Sequence, residues 1–318
     1  MLSFVDDYPK TLAEFEERFS TEEACWLYLC ELRWPDGFVC PRCGQRKAWL
    51  MGNGLHWCGS CDYRASVTAG TIFERTKKPL MFWFRVIWWV TGQKYGASAK
   101  GLQRMLGIGS YETAWTWRHK LRRAMVRQGR DRLSGNIEVD ETFVGGVKHD
   151  GKRGRGAIGK ALILMVVHLD GKKLGRIRLK RIADASAESL EEAVQDTVEP
   201  GSVIRTDGWP GYNQIGSCGY IHEVVRTDAE IGDNLLPACN LVASLMKRWL
   251  GGTLQGAVAH EHLEYYLDEY TFRFNRRTSR HRGKLFYRLL QQAVVTDAVT
   301  YETIKKSVRG RKPTHHNI

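Results

Sequence analysis

The sequence predicts an α/β protein with three parts: a cysteine-rich ribbon, a helix-turn-helix segment, and a domain with a mixed sheet and C-terminal helices. Two CxxC pairs lie close together near the N-terminus. Helical segments separated by glycines follow them, and strand-like segments begin near residue 135. These changes in pattern place a helical lead-in at 1–35, the ribbon at 36–70, the helix-turn-helix at 79–129, the mixed-sheet domain at 135–295, and a basic tail at 296–318.

Basic residues outnumber acidic ones, with 48 Lys and Arg against 35 Asp and Glu, a net charge of +13 and a pI near 9.4. This surplus predicts an anionic partner, with nucleic acid as the first candidate and a merely soluble basic surface as the alternative. The first residues are acidic where a signal peptide would be apolar. The most hydrophobic segment, 80–90, is about half the length of a membrane span. We therefore expect a cytoplasmic protein, associated with the bacterial nucleoid and not with a membrane.

The two CxxC pairs are Cys40 with Cys43 and Cys58 with Cys61, in a chain that contains eight cysteines. Each pair can supply two thiolates to one tetrahedral ion, and a hairpin between the pairs would bring them together. Four sulfur ligands close the coordination sphere, so the predicted ion is a structural Zn²⁺. Two disulfides are the alternative, which a reducing compartment disfavours. We expect Trp49, Trp57 and Tyr63 to form a small apolar face of this ribbon, and glycines 44 and 59 to relieve its turns.

Three helical runs follow the ribbon, at 80–92, 98–106 and 111–127, and glycines separate the last two. The third run is basic, which is typical of a helix that lies along a DNA groove or a phosphate backbone. A solvated basic face on an ordinary helical unit is the alternative. The residues predicted to contact DNA here are Arg118, Lys120, Arg122 and Arg123.

Beyond residue 135 the hydrophobic pattern predicts strands at 137–143, 161–169, 174–182, 202–206 and 220–226, with a helix at 186–198 and helices again from about Ala238. Asp140 lies within the first strand, where Glu138 would share its face and Glu141 would point the other way. Asp207 ends the fourth strand, and sites in α/β sheets form at such strand ends. Two carboxylates held side by side can bind Mg²⁺ for phosphoryl transfer. By themselves, however, two strand aspartates are weak evidence. A glycine-rich basic loop at 145–159 is predicted to be a hairpin loop.

The residues around these aspartates carry a more specific signal. Asp140 lies in VDET (139–142) before a Gly-Gly pair, and Asp207 lies in TDGWPGY (206–212). Farther along are SLMKRW (244–249) and YLDEYTFRFNRR (266–277). This set, in this order, resembles the DDE-type transposases of bacterial insertion sequences, from the ribbon to about residue 292. Within them it is most similar to the branch that carries an N-terminal zinc ribbon and often has Asn as the third catalytic residue.

The resemblance implies an RNase H-like catalytic domain whose metal ligands are Asp140, Asp207 and Asn240, with Lys247 as a phosphate-binding residue. Asn240 and Lys247 are seven residues apart and would share one face of a helix. An amide oxygen is a weaker Mg²⁺ ligand than a carboxylate, so alternatives stay open. Asn240 could instead cap a helix that follows a proline, and Glu261, Glu264 or Glu269 could be the third ligand. Arg248, Arg276 and Arg277 are further candidates for DNA contact.

The expected function is a transposase that binds the terminal inverted repeats of its own element and uses two Mg²⁺ or Mn²⁺ ions to cleave DNA and transfer strands into target DNA. Joining two ends requires at least two protomers, so a homo-oligomer is expected. The rival interpretations are a non-catalytic zinc-ribbon DNA-binding regulator and an RNase H-like nuclease that cuts but does not join.

Overall fold

A computed structural model describes residues 7–127, 129–145, 160–225, 234–254 and 260–306. The predicted loop at 145–159 and the end of the basic tail lie largely outside these residues. The described residues form two compact units. The first unit is built from two segments that are separate in the sequence. One unit comprises Met1–Arg127 together with Thr278–Lys306, and the other comprises Gln128–Arg277.

The first unit begins with two helices, three short strands and three further helices. They are α1 (Leu12–Arg18), α2 (Glu22–Arg33), β1 (Ala48–Leu50), β2 (His56–Cys58), β3 (Arg64–Ala65), α3 (Leu80–Gly92), α4 (Ala99–Leu106) and α5 (Tyr111–Ala124). The predicted lead-in is therefore two helices. The first helix ends at Arg18. The side chain of Thr21 then caps α2 by accepting the N–H of Ala24.

The helix-turn-helix pattern is present as α4 and α5, which pack against each other. The hydroxyl of Ser98 caps α4 and that of Ser110 caps α5. Between them Gly107 adopts a left-handed conformation, φ 61°, which a residue without Cβ reaches at little cost. The chain therefore leaves α4 sharply and enters α5 within a few residues.

The second unit contains the predicted mixed sheet. Its elements are β4 (Asn136–Val144), β5 (Ala161–Asp170), β6 (Lys173–Ile182), α6 (Ala187–Thr197), β7 (Val203–Thr206), β8 (Ile221–Val224), α7 (Pro237–Thr253) and α8 (Leu263–Phe274). The strand order is β6-β5-β4-β7-β8. β5 is antiparallel to both of its neighbours, β4 and β6, whereas β7 and β8 run parallel to β4. Three antiparallel strands extended by two parallel ones confirm the RNase H-like sheet that the resemblance implied.

The two faces of this sheet bury different residues because side chains alternate along each strand. On β5, Ile163, Met165 and Val167 face a core that contains residues of α7 and α8. Leu164 and Val166 face a second core, which contains residues of α6. The central strands are thus covered on both sides, as their nearly continuous apolar sequence predicted.

Helices α9 (Gly283–Ala293) and α10 (Tyr301–Lys306) belong to the first unit, although they follow the second in the chain. The ring of Phe286 on α9 lies 5.4 Å from that of Phe15, 5.7 Å from that of Phe84 and 5.6 Å from that of Trp88. The mixed-sheet unit therefore ends near residue 277 and not at the predicted 295, because the aromatic face of α9 completes the other core. No helix among the described residues is long and apolar enough to cross a membrane.

Candidate functional site

The four ribbon cysteines lie together, with all their sulfur atoms within 4.8 Å of one another. The sulfurs of Cys40 and Cys61 are 3.7 Å apart, and those of Cys43 and Cys58 are 3.6 Å apart. Sulfurs bound at about 2.3 Å to one tetrahedral zinc would be roughly 3.8 Å apart. Backbone N–H groups of the second knuckle, with that of Ser60 first, lower the pKa of Cys58 to about 6. The thiols are free, not paired in disulfides. The geometry fits one structural Zn²⁺.

In the ribbon Gly44 behaves as the sequence predicted, whereas Gly59 and the two tryptophans do not. Gly44 has the positive φ predicted for a knuckle turn, 73°. Gly59 is required for another reason: a Cβ there would lie 2.8 Å from the ring of Trp49. Trp49 and Trp57 face each other across β1 and β2 but remain 50% and 39% exposed, so they form an open surface and not a closed apolar core.

The register of β4 decides which acids share a face. Asp140 pairs with Met165, and Glu138 pairs with Val167, so both acids lie on the side that α7 and α8 cover. Val139 belongs to the core on the opposite side. The alternation predicted for this strand is therefore present, with Asp140 half-buried beneath the N-terminal part of α7 and Glu138 almost fully buried.

Asp140 and Asp207 belong to neighbouring parts of the sheet, because β4 and β7 pair in parallel. The pairing joins Ile137 with Ile204 and Glu138 with Arg205, and each aspartate follows this last pair by two residues. Neighbouring strands are about 4.8 Å apart, and paired residues of parallel strands point to the same face. The two aspartates predicted from the sequence thus lie on neighbouring strands, each two residues beyond the last recorded pair.

The turn after Asp207 is built from residues of the TDGWPGY sequence. The Asp207 carboxylate accepts the backbone N–H of Trp209 at 3.0 Å, and Gly208 has a φ of 81°. The indole N–H of Trp209 donates to the carbonyl of Ala185 at 2.9 Å. A Cβ on Gly211 would lie 2.7 Å from that same carbonyl oxygen. These contacts hold Asp207 at the end of its strand.

Tyr212 and Glu141 connect this turn to β4, on the face opposite Asp140. The buried Tyr212 hydroxyl donates to the Glu141 carboxylate at 2.9 Å. Burial, followed by the charge of Glu141, raises the pKa of Tyr212, so the phenol stays protonated. The sequence indicated only that Glu141 points away from Asp140. A tyrosine five residues after Asp207 was the available signal for its partner.

Asn240 and Lys247 lie on α7, two turns apart, and both are exposed. Asn240 is inside the helix and not at its N-cap position, which Leu236 occupies. Its side-chain N–H donates to Asn234 at 2.6 Å, which leaves the amide oxygen as an acceptor. Among the alternative ligands, Glu269 is fully buried and paired with Arg273 at 2.9 Å. That ion pair makes Glu269 a structural acid.

The charges around Lys247 show which groups lie near it. Burial, then the neighbouring cation Lys160, lowers the pKa of Lys247, while the anion Asp140 acts in the opposite direction. Lys160 comes directly before β5, opposite the end of β4. The sequence did not single out Lys160, because it follows several other basic residues of the preceding loop. Its position just before β5, the strand that pairs with β4, distinguishes it from them. Lys160 and Asp140 are thus charged groups that act on Lys247.

The basic residues of α5 do not form the exposed surface that the sequence predicted. Arg118 and Arg122 are 0% and 3% exposed, and Lys120 donates to the carbonyl of Ile72. The ring of Trp117 stacks on that of Trp83 at 3.8 Å, so the helix is packed along much of its circumference. Arg118 and Arg122 are therefore too buried to contact DNA, and Arg123 is half-buried.

The arginines at the end of α8 are likewise engaged within their own unit. Arg277 donates to the carbonyls of Leu174 and Gly175, and its guanidinium lies 4.1 Å from the ring of Phe274. Arg276 lies 4.0 Å from the ring of Phe272. These contacts fasten α8 to the hairpin of β5 and β6, a structural role that the sequence did not predict. Arg248 on α7 is exposed.

This fold and these two sites define a class: a zinc-ribbon protein with an RNase H-like domain. Residues 132–275 match the ISXO2-like transposase domain, and residues 20–64 match the transposase zinc-ribbon domain. A protein of Halobacterium salinarum, described as an uncharacterized protein in transposable element ISH50, is 26% identical over 286 residues, which cover 84% of this chain and 94% of the relative. The matched segments are thus a transposase zinc ribbon and an ISXO2-like transposase domain, and together they support a DDE-type transposase that carries a zinc ribbon.

Proposed function

We propose that this protein binds the terminal inverted repeats of an insertion sequence, cleaves DNA at the element ends and joins the freed 3′-hydroxyls to target DNA. The observation that supports the proposal is the parallel pairing of β4 and β7, after which Asp140 and Asp207 follow at equal distance along their strands, on a sheet packed against the helix that bears Asn240 and Lys247. Synapsis of two ends calls for at least two protomers.

Asp140, Asp207 and the amide oxygen of Asn240 would hold two Mg²⁺ or Mn²⁺ ions. The donor set fits because all three groups are oxygen donors, the type that these hard cations prefer. Both carboxylates are partly open to solvent, so a substrate oxygen could complete the coordination. When bound, a pair of such ions activates the attacking oxygen and stabilises the leaving oxygen of an in-line displacement.

The other residues of the site orient the substrate. Lys247 carries a cation near Asp140, and the cation of Lys160 lies near Lys247, a suitable arrangement for binding the phosphates around the scissile bond. Arg248, next to Lys247, would extend this contact along the backbone. The bond between Tyr212 and Glu141 braces β4 on its other face, so the Asp140 carboxylate keeps its direction during the reaction.

The zinc ribbon would supply much of the DNA affinity. Its exposed side chains include Arg42, Lys47 and Arg64, and the Lys47 ammonium lies 5.6 Å from the ring of Trp49. Cations beside exposed aromatic rings suit contact with both phosphates and the grooves. Affinity for duplex DNA should therefore fall steeply as salt increases, and a flat salt response would contradict this assignment.

One assay separates the proposal from its rivals. The zinc-loaded protein is incubated with a labelled duplex of the element end, a supercoiled target plasmid and Mg²⁺. A transposase yields cleaved ends and end–plasmid joints, whereas a nuclease yields only cleaved ends. A regulator retards the duplex without cutting it. A plasmid-joined product that depends on the end sequence supports the proposal, and its absence under conditions that give cleavage would overturn it.

A further inference from the structure

Glu138 is a buried acid that the proposed reaction does not use directly. It lies two residues before Asp140 on the same face of β4, and it is 4% exposed. One oxygen of its carboxylate accepts two backbone N–H groups, from Ala238 at 2.9 Å and from Cys239 at 3.0 Å. These are among the first residues of α7.

The start of α7 has no other side-chain cap. Leu236 occupies the N-cap position and makes no side-chain hydrogen bond, and Pro237 follows as the first helical residue. The first N–H groups of any helix lack partners within it and carry its positive end. A carboxylate at this position satisfies two of these donors and is itself compensated for its burial. Glu138 therefore acts as a cap supplied by a distant strand.

This cap connects the two elements that carry the proposed metal ligands. On one side, Glu138 precedes Asp140 by two residues of a rigid central strand. On the other, Cys239 directly precedes Asn240, and Lys247 follows on the same helix. We propose that Glu138 is a positioning residue that sets the place of Asn240 relative to Asp140 by fixing the first turn of α7 on β4. This inference rests on the proposed function, since it gives the contact a role in metal binding.

The first unit contains a matched contact that serves as a control. There the Glu22 carboxylate accepts the N–H groups of Leu80 at 2.6 Å and Met81 at 2.9 Å, at the start of α3. In this helix a proline, Pro79, occupies the N-cap position and provides no side-chain cap. Glu22→Ala thus removes the same kind of helix cap at a place that holds no proposed metal ligand.

The test compares the full-length, zinc-loaded wild type with Glu138→Ala, Glu138→Gln and Glu22→Ala. Amide hydrogen exchange follows the starts of α7 and α3, and electron paramagnetic resonance measures the binding of Mn²⁺. In Glu138→Ala we expect exchange at the start of α7 to be at least about ten-fold faster, and Mn²⁺ affinity to fall by about ten-fold or more. Gln keeps an acceptor oxygen for the two N–H groups, so Glu138→Gln should lose distinctly less Mn²⁺ affinity than Glu138→Ala. Glu22→Ala should accelerate exchange only at α3 and leave Mn²⁺ affinity unchanged.

Two results would overturn the positioning role alone. One is wild-type Mn²⁺ affinity in folded Glu138→Ala. The other is an equal loss of affinity in Glu138→Gln and Glu138→Ala, which would mean that the charge acts on the ions directly and not through the helix. Failure of the wild type to bind Mn²⁺ outside the ribbon would instead overturn the proposed function, and the positioning role with it.

Discussion

Individual acids of one short strand have three different tasks in this protein. Asp140 faces the site, Glu141 accepts a hydrogen bond from Tyr212 on the opposite face, and Glu138 binds the first turn of α7. Alternation along the strand separates these tasks, since a shift of one residue would exchange the two faces. The site therefore depends on the register of β4 as much as on the identity of its acids.

The pKa of Lys247 should respond in opposite directions to changes at its two charged neighbours. Lys160→Gln removes a like charge and should raise the pKa, whereas Asp140→Asn removes an opposite charge and should lower it further. Nuclear magnetic resonance of ¹³C-labelled lysine side chains during a pH titration measures both shifts. Because the cation exists only below its pKa, Lys247 should stop contributing to DNA affinity at a lower pH than an ordinary lysine. Shifts of the same sign in the two variants would show that the three groups are not neighbours.

Tyr212→Phe should destabilise the second unit by about 1.5–3 kcal/mol, because the lost hydrogen bond has a charged acceptor. Tyr220→Phe is a suitable control, since Tyr220 is also buried in this core but donates to the neutral carbonyl of Val198. It should cost about 0.5–1.5 kcal/mol. Urea unfolding of both variants gives the comparison, and equal losses would mean that the Glu141 carboxylate adds nothing.

At the scale of elements, the hydrophobic pattern was sufficient for every strand of the mixed sheet and for α3 to α7, whose ends lie close to the predicted ones. Hydrophobic periodicity indicates which residues are buried. For β4 and β5 it therefore predicted which side chains lie on each face of the sheet. It does not report which charged side chains a neighbouring helix will cover. For that reason the basic face of α5 was wrongly interpreted as open to DNA: Arg118 and Arg122 are buried.

The candidate site was predictable only in part, for a related physical reason. The four cysteines follow from local spacing, whereas Asp140 and Asp207 were predicted from their strand positions together with the family resemblance of the motifs around them. The contacts of Glu138 with α7 and of Tyr212 with Glu141 join residues 100 and 71 positions apart, respectively. Such pairs depend on how elements pack, so the sequence names candidates such as Tyr212 but does not show which residue each one contacts.

The ribbon should hold one zinc ion per chain. Cys58→Ser removes one of the four ligands and should abolish stoichiometric zinc and disorder β1 to β3. Cys218→Ser, outside the ribbon, should retain the ion and provides the control. Zinc released on denaturation measures the content, and the emission of Trp49 and Trp57 reports on the ribbon. Full zinc content in Cys58→Ser would contradict a four-cysteine site.

At the scale of the whole molecule, the first unit is discontinuous in sequence. The rings of Phe15 and Phe19 contact Phe286, although more than 260 residues separate them in the chain. A C-terminal helix is expected to pack against the domain that precedes it in the chain, because consecutive elements are usually neighbours. Here α9 instead fills the aromatic core of the N-terminal unit, and the matched transposase domain ends before it, at residue 275.

Fragments of the chain test this division. We expect residues 128–277 to unfold cooperatively as an isolated fragment, since they contain both cores of the mixed sheet. Residues 1–127 alone should lack cooperative unfolding, because the aromatic face that contacts α9 would be open to water. Joining 1–127 to 278–306 through a flexible linker should restore it. A cooperative transition in 1–127 without α9 would show that the helix is dispensable.

The central claim is that Asp140 and Asp207 together form the catalytic centre for DNA cleavage and strand transfer. The most direct test is the joining of a labelled element end to a plasmid by the wild type, Asp140→Asn and Asp207→Asn, with end binding measured in parallel. Both variants are expected to bind the end with wild-type affinity and to produce neither cleaved nor joined DNA above the background without protein. Strand transfer at the wild-type rate by either variant would contradict the claim.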